Sequence, residues 1–304
     1  MSRGEVAWIA VDWGTSNLRA YIMSVNGEVL AQAKSTKGMG SLNSDQFEST
    51  LIELVSDYLS DDSITPVIAC GMVGSKQGWK EAGYIPVPAA PPKGTKLTRP
   101  HVNDARIAVY ILPGMSQSKP ADVMRGEETQ ILGYLAQNPD FDGSICLPGT
   151  HTKWVQISSG EVVSFRTFVT GELFDIISKH SVLRHSVGEG WDEEAFLESV
   201  TDGIMNANAL TNRLFGLRAS SQLDGMRPTT ATAKLSGMLI GLELGGAKGF
   251  WLGNQVVLIG NNKIMDYYQA ALTHQGVMPI CANGDEMVRL GLVASYYELE
   301  KVEL

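Results

Sequence analysis

Cysteine is scarce in this chain of 304 residues, which contains only Cys70, Cys146 and Cys281, widely separated and each within or beside an apolar run. This spacing argues against a disulfide framework or a zinc site, and we expect three buried free thiols. No apolar run reaches the length of roughly 20 residues that a membrane-spanning helix needs. No secretory leader is recognisable before Val6. These absences predict a cytoplasmic protein that does not bind membranes.

Positive charge is also in short supply, because 24 Lys and Arg residues face 33 Asp and Glu residues and the formal net charge is −9. General binding to nucleic acid or to an anionic membrane needs a basic surface, so both partners are excluded. A small anionic substrate is still allowed, since a local basic pocket suffices for it. Hydrophobic residues make up 44% and charged residues 19%, which is typical of a globular protein long enough for two domains. Homo-oligomerisation remains open.

The first informative pattern is a strand that ends in a polar loop. Residues 6–11 form an apolar run that predicts a buried strand, followed by Asp12-Trp13-Gly14-Thr15-Ser16 and a second strand from Leu18. Glycine permits close approach of a ligand, while backbone amides and the Thr15 and Ser16 hydroxyls can donate to phosphate oxygens. Asp12 can hold a hydrated Mg²⁺ ion. The alternative is an ordinary hairpin with a polar tip.

A second unit of the same kind occurs near the middle of the chain. Residues 144–147 predict a short strand that leads into Pro148-Gly149-Thr150-His151-Thr152-Lys153, after which an extended pattern resumes. The repetition suggests two related domains, residues 1–138 and 139–304, which face each other and grip the phosphates of one nucleotide. Strands and helices alternate along the whole chain, and the early hairpins indicate mixed sheets, so the predicted fold class is α/β.

Six motifs in the same order resemble the 2-dehydro-3-deoxygalactonokinase family of the sugar kinase, heat-shock ATPase and actin superfamily. They are DWGTSNLRAYI (12–22), CGMVGSKQGW (70–79), MRGEETQILG (124–133), LPGTHTKWVQI (147–157), FRTFVTGELFD (165–175) and NGDEMVRLGL (283–292). The resemblance implies two ribonuclease-H-like domains across a nucleotide cleft. It also implies ATP- and Mg²⁺-dependent phosphorylation of the 6-hydroxyl of 2-dehydro-3-deoxy-D-galactonate, a step of galactonate catabolism.

Three carboxylates are candidates for the catalytic base. Glu127 and Glu128 open a predicted helix, where acidic residues also serve as ordinary complements to the helix dipole. The resemblance places the base at the start of this helix, with Glu127 as the matching position and Glu128 as the alternative. Glu172 is the second choice, with Thr170 as the predicted cap of its helix.

The sugar acid is expected to bind a glycine-rich loop that follows a strand. Its candidate residues are Gly74, Ser75, Lys76, Gln77 and Trp79, together with Arg125. The hydroxyl and amide groups suit sugar hydroxyls, Trp79 offers a stacking face, and Lys76 or Arg125 can pair with a carboxylate. In place of the glycine pair of related kinases, the turn Gly260-Asn261-Asn262 is expected to lie against the adenosine.

Two other functions remain open at this stage. A phosphatase or ATPase of the same superfamily would use Glu127 to activate water, and a kinase for a different 2-keto-3-deoxy sugar acid would share every motif above. A binding protein without activity is disfavoured because both Asp12 and Glu127 are present.

Overall fold

The computed structural model describes residues 5–94, 96–261 and 263–303. The chain divides into two compact units. Unit 1 comprises Met1–Phe141, Ser158–Ser164 and Asn283–Leu304, and unit 2 comprises Asp142–Ile157 and Phe165–Ala282. The prediction divided the chain at residue 138, whereas residues 158–164 and the C-terminal segment belong to unit 1.

Unit 1 contains a five-stranded mixed sheet in the order β3-β2-β1-β4-β6 and a three-stranded sheet in the order β5-β7-β8. The strands are β1 (Trp8–Trp13), β2 (Leu18–Met23), β3 (Val29–Ser35), β4 (Thr65–Gly71), β5 (Tyr84–Pro86), β6 (Ile107–Ile111), β7 (Gly114–Ser118) and β8 (Ala121–Met124). Strands β1, β2 and β3 pair antiparallel to one another in chain order. Strand β4 lies parallel to β1, and β6 lies parallel to β4. This arrangement places the ends of β1 and β4 at the same edge of the sheet.

Three helices flank these sheets: α1 (Phe47–Val55), α2 (Glu127–Gln137) and, numbered in chain order, α9 (Gly284–Glu303). Helices α2 and α9 approach closely, because a Cβ on Gly133 would overlap the Met287 carbonyl and one on Gly291 would overlap the Thr129 carbonyl. Helix α9 also covers the large sheet, and its Tyr296 stacks on Trp8 of β1 with ring centroids 4.4 Å apart. These contacts explain why the C-terminal segment belongs to unit 1.

Unit 2 repeats the same plan of an antiparallel hairpin extended by a parallel strand. Its sheet has the order β11-β10-β9-β12-β13, with β9 antiparallel to β10 and parallel to β12. The strands are β9 (Gly143–Leu147), β10 (Thr152–Ser158), β11 (Glu161–Phe168), β12 (Val256–Gly260) and β13 (Ile280–Asn283). The ends of this sheet pass the unit boundary, because Ser158, residues 161–164 of β11 and Asn283 are counted with unit 1. The predicted α/β class with mixed sheets is confirmed.

The helices of unit 2 are α3 (Thr170–His180), α4 (Glu193–Met205), α5 (Leu210–Leu223), α6 (Pro228–Gly246), α7 (Lys248–Trp251) and α8 (Lys263–His274). Helices α4 and α6 pack at glycine contacts, since a Cβ on Gly237 or Gly241 would overlap a carbonyl of α4. Among the described residues no helix is long and apolar enough to cross a membrane. Cys70 and Cys146 are buried as predicted, whereas Cys281, which lies on the edge strand β13, is exposed.

Candidate active site

The loop between β1 and β2 is held from behind by a second segment of unit 1. The Gly14 N–H donates to the Asn17 carbonyl at 2.9 Å, while the Met39 N–H donates to the Gly14 carbonyl at 2.9 Å. A Cβ on Gly38 would overlap the backbone of the loop, so only glycine fits there. The loop is thereby fixed in shape, while the predicted ligand residues Thr15 and Ser16 remain exposed.

Asp12 lies at the end of β1 in an electrostatic cluster. Its Oδ2 is 3.5 Å from Nη1 of Arg19, its register partner on β2, and the same Nη1 forms an ion pair with Asp285 at the start of α9. Burial raises the pKa of Asp12 to about 6, against the lowering effect of Arg19 and with a smaller contribution from Asp285. The Asp12 side chain is 26% exposed. It is therefore mostly ionised at neutral pH and accessible to a cation.

No group of three or more His, Cys, Asp or Glu residues that could hold a metal occurs in the described part of the chain. Sequence reasoning assigned no role to Arg19, Gly38 or Asp285. The glycine-containing run Lys37-Gly38-Met39-Gly40 could have indicated the segment that supports the loop. The ion pair between Asp285 and Arg19 could not be predicted, because the two residues are far apart in the sequence.

The start of α2 lies against the ends of β1 and β4. Gly71, which ends β4, has φ +90°, and a Cβ there would lie 2.8 Å from the Trp13 carbonyl oxygen. Gly126, which precedes α2, has φ +106°, and a Cβ on it would come within 3.5 Å of Gly71 Cα. Both glycines have backbones that other residues rarely adopt. They bring Glu127 and Glu128 to the sheet edge that carries Asp12.

The two carboxylates of α2 differ sharply in environment. Glu128 is completely buried, and both of its oxygens accept from the Gly126 N–H at 2.8 Å. Burial, followed by repulsion from Glu127, raises the pKa of Glu128 from 4.5 to about 8. Glu127 is only half-buried, and its Oε2 accepts from the Arg125 N–H at 3.0 Å. At neutral pH Glu128 therefore carries a proton, and Glu127 is the carboxylate that a substrate can reach.

Arg125 and the glycine-rich loop meet beside this helix start. The guanidinium stacks 4.4 Å above the Tyr84 ring, and its Nη2 donates to the Gly83 carbonyl at 2.8 Å. Its Nε and Nη1 are buried and have no hydrogen-bond partner within the described ranges, and the same holds for Ser75 Oγ. Gly74 makes room for the guanidinium, since a Cβ there would lie 2.8 Å from Nη1. Two of the predicted substrate residues thus have unused polar atoms.

The other residues of this loop divide into two groups. Lys76 and Gln77 are exposed. Trp79, by contrast, packs into the core of unit 1, stacked on Phe47 at 6.2 Å and edge-on to Trp13 at 6.3 Å. The side chain is only partly buried, so its predicted role as a sugar-stacking surface stays a prediction alongside this packing role.

In unit 2 the loop between β9 and β10 is held by the start of α3. The Glu172 N–H donates to the Thr150 carbonyl at 3.0 Å, and a Cβ on Gly171 would overlap the Gly149 carbonyl. Thr150 is exposed and Gly149 is partly exposed, so both predicted ligand residues are accessible. Glu172 Oε2 lies 2.7 Å from His151 Nε2. Glu172 is therefore placed with this loop of unit 2, whereas Glu127 and Glu128 belong to unit 1.

The structure corrects three expectations about this part of unit 2. Thr152 and Lys153 are buried at 0% and 5% exposure, so their side chains are not available at the loop surface. The reason is that β10 begins at Thr152, whose hydroxyl is hydrogen-bonded to Tyr268 at 2.9 Å. Thr170 does not cap α3, since Val169 is the N-cap residue and the Thr170 hydroxyl bonds to Glu243 instead.

A cavity of about 890 Å³ opens beside this loop, within unit 2. Gly149, Thr150 and Gly171 lie at its wall, and its apolar lining includes Leu239, Ile240, Ile264 and Tyr267. The volume and the mixture of apolar wall and a few polar groups are those of a small-molecule site.

The turn that was predicted to lie against an adenosine comes just before the start of α8. Gly260 ends β12, and a Cβ on it would lie 3.4 Å from the Met265 side chain. Asn261 follows, and Asn262 lies outside the described residues. Lys263 and Ile264, at the start of α8, line the cavity wall. The turn therefore precedes two lining residues in the sequence, but neither Gly260 nor Asn261 belongs to the cavity lining.

Comparison with known proteins gives a consistent result. The sequence profile described as 2-keto-3-deoxy-galactonokinase matches residues 12–295. A Rhizobium meliloti protein named "Probable 2-dehydro-3-deoxygalactonokinase DgoK1" is 41% identical over 95% of this chain and 96% of its own length. The Escherichia coli 2-dehydro-3-deoxygalactonokinase is 33% identical over 94% of this chain and 96% of its own length.

Solved structures agree with the sequence comparison. The crystal structure of a Sinorhizobium meliloti protein that carries the same enzyme name has a TM-score of 0.90, 39% identity, and coverage of 98% of this chain and 100% of its own. The activator of 2-hydroxyisocaproyl-CoA dehydratase from Clostridium difficile has a TM-score of 0.52 at 13% identity, over 98% of both chains. The second likeness shows a shared fold alone.

Proposed function

This chain belongs to the 2-keto-3-deoxy-galactonokinase family and is a carbohydrate kinase, and we propose that it transfers the terminal phosphoryl group of ATP to the 6-hydroxyl of 2-dehydro-3-deoxy-D-galactonate. The products are 2-dehydro-3-deoxy-6-phosphogalactonate and ADP. The single observation that carries the proposal is the pair of unlike carboxylates at the start of α2, beside the sheet edge that bears Asp12.

Glu127 is the general base of this proposal. A sugar hydroxyl is a weak nucleophile until a carboxylate orients it and accepts its proton as the new phosphorus–oxygen bond forms. Glu127 is half-buried and reachable, whereas Glu128 is completely buried. Because Glu128 holds a proton at neutral pH, it adds no negative charge beside Glu127 when the phosphoryl group arrives. Glu172, paired with His151 in unit 2, is not needed as a base.

Each unit, taken by itself, offers groups that suit part of a nucleotide. In unit 2 the phosphates would lie on Gly149 and Thr150, with adenosine in the adjoining cavity. In unit 1 the exposed hydroxyls of Thr15 and Ser16 are donors for phosphate oxygens. Asp12 would hold Mg²⁺ through water, and the ion, when bound, offsets negative charge on the transferring phosphoryl group.

Arg125 is the proposed partner of the substrate carboxylate. The guanidinium of arginine is a strong donor for carboxylates, and Arg125 has two buried N–H positions, Nε and Nη1, without a partner in the described structure. Ser75 Oγ, also buried and unpartnered, is next to Gly74, which packs against the guanidinium. Because the three groups are buried, a ligand would reach them only after a movement of this loop. Exposed Lys76 would add a second positive charge.

The test is a coupled assay of ADP release with purified protein, Mg²⁺ and ATP, against a panel of 2-keto-3-deoxy sugar acids, aldonates and neutral hexoses. We expect ADP release that depends on 2-dehydro-3-deoxy-D-galactonate, with a phosphate ester at C6 of the product. Turnover with neutral hexoses alone would overturn the substrate class, and turnover with a different keto-deoxy acid would overturn the stereochemistry. Rapid ATP hydrolysis without any sugar would assign the chain to the ATPase alternative.

A further inference from the structure

Unit 2 contains a buried carboxylate that the proposed chemistry does not use. Glu243 lies on α6 with 1% exposure. Its Oε1 accepts from Trp154 Nε1 at 2.8 Å, and its Oε2 accepts from the Tyr268 hydroxyl at 2.6 Å and from the Thr170 hydroxyl. The three donors come from β10, α8 and α3. One side chain therefore ties together three elements of unit 2.

Two of these contacts lead directly to the loop at Gly149 and Thr150. Thr170 is the first residue of α3, and the next two residues hold the loop, Gly171 by close packing and Glu172 through its N–H. On the other side, Thr152 begins β10 immediately after the loop, and its hydroxyl bonds to the Tyr268 hydroxyl, which in turn donates to Glu243. Both ends of the loop thus connect to the same carboxylate.

We propose that Glu243 is a positioning residue for the phosphates of the nucleotide, because its carboxylate fixes both ends of the Gly149–Thr150 loop through Thr170 and through Tyr268 and Thr152. This inference rests on the nucleotide site proposed for unit 2. Its energetic basis is that a preformed loop binds a ligand without the entropic cost of ordering the loop first.

The charge of Glu243 matters because only an ionised carboxylate is purely an acceptor. When Oε2 gains a proton, one of its two hydroxyl donors must turn away or become an acceptor. Burial raises the pKa of Glu243 to about 7, against the lowering effect of its hydrogen bonds. The other ionisable groups that face it, Tyr268 and Cys146, have pKa values well above their usual range and stay neutral. Protonation of this cluster between pH 8 and pH 6 therefore occurs on Glu243.

The test compares wild type with Glu243→Gln, which keeps the size but mimics the protonated form. At pH 8 we expect ADP affinity, measured by calorimetry, to fall about 10-fold, and the KM for ATP to rise by a similar factor. The kcat and the KM for the sugar acid should change less than about 3-fold, since neither depends on this loop once ATP is bound. At pH 6 the ADP affinity of wild type should approach that of the variant.

Thermal unfolding separates this role from simple structural support. A raised pKa means that burying the charged form is unfavourable, so at pH 8 the variant should unfold at the same temperature as wild type or higher. The matched control is Ser295→Ala, which removes a buried hydroxyl that bonds to the Gly291 carbonyl in unit 1. That variant should lose some stability and keep its ADP affinity.

Three results would overturn the inference. Unchanged ADP affinity in a folded Glu243→Gln variant would show that the carboxylate does not position the loop. An equal loss of ADP affinity in Ser295→Ala would show that any loss of stability suffices. Wild type that binds ADP but turns over no sugar acid would refute the proposed substrate and leave the Glu243 comparison decisive, whereas wild type that binds no ADP would refute both.

Discussion

Replacing Glu128 by Gln should make the protein more stable at neutral pH, in contrast to most changes of a buried side chain. Glu128 has a pKa of about 8 in the folded protein, against 4.5 as the ordinary value. Its folded pKa is raised, so its contribution to stability is fully present below pH 4.5 and is lost as the pH rises through about 8. A glutamine does not titrate and keeps the acceptor for the Gly126 N–H.

The size of the effect follows from the two pKa values. At pH 7 the unfolded chain has released the Glu128 proton and the folded chain retains it, so refolding takes up one proton. With 1.36 kcal/mol for each pH unit between 4.5 and 7, the loss amounts to about 3 kcal/mol, and no discount for solvent applies because the side chain has 0% exposure. If a side-chain N–H of the new glutamine finds no acceptor, the gain in unfolding free energy is smaller by the same amount at every pH, and its dependence on pH does not change.

The assay is urea unfolding of wild type and Glu128→Gln at pH 5, 6, 7 and 8. The difference in unfolding free energy between the two should grow by about 3 kcal/mol from pH 5 to pH 8, all in favour of the variant. Parallel pH dependences would refute the reasoning, since they would show that Glu128 is ionised in the folded protein.

The same pair of residues decides the identity of the base. Glu127→Gln should lower kcat by roughly two orders of magnitude or more with little change in ADP affinity, because it removes the proton acceptor and keeps the shape. Glu128→Gln should keep turnover within about 10-fold of wild type at pH 7, since Glu128 is already neutral there. The reverse ranking of the two variants would assign the base to Glu128.

Three further outcomes test the remaining parts of the site. Asp12→Asn should reduce turnover most strongly at limiting Mg²⁺, with partial recovery at high Mg²⁺, and full activity at limiting Mg²⁺ would show that another group anchors the ion. Gly171→Ala should weaken ADP binding, because the new Cβ overlaps the Gly149 carbonyl, whereas the matched change Gly249→Ala meets open space and should leave ADP affinity unchanged. Arg125→Lys should raise the KM for the sugar acid by about 10-fold with little change in the KM for ATP, since lysine lacks the planar guanidinium and its N–H donors, and an unaltered KM would place the substrate carboxylate elsewhere.

The parts of the fold that the sequence predicts are those with local signals. A buried strand followed by a glycine-containing polar loop and a second strand specifies a hairpin through residues close in sequence, and both such loops occur as expected. The first turn of α2 likewise follows from a glycine and two adjacent carboxylates. For this reason Glu127, Thr15 and Thr150 could be named as candidates without the structure.

The parts that the sequence does not predict depend on contacts between distant segments. Thr152 and Lys153 belong to a motif that suits phosphate, but the start of β10 at Thr152 turns both side chains into the interior. Trp79 belongs to a loop whose composition suits ligand binding, yet its ring packs against Phe47, which lies 32 positions earlier. Glu243 stands in a helix without any motif, and only the convergence of three donors identifies it.

Glu128 and Glu243 show why residue type alone does not predict charge state. Both are glutamates buried to about the same degree, at 0% and 1% exposure. Glu128 accepts from the Gly126 N–H and, at 3.4 Å, from the Thr129 hydroxyl, the charge of Glu127 repels its own, and its pKa is about 8. Glu243 accepts from three side-chain donors, which offset part of the same burial penalty, and its pKa is about 7. Repulsion from Glu127 thus favours the protonated form of Glu128, whereas the side-chain donors favour the ionised form of Glu243, so one keeps charge away from the proposed base while the other uses its charge to hold a loop.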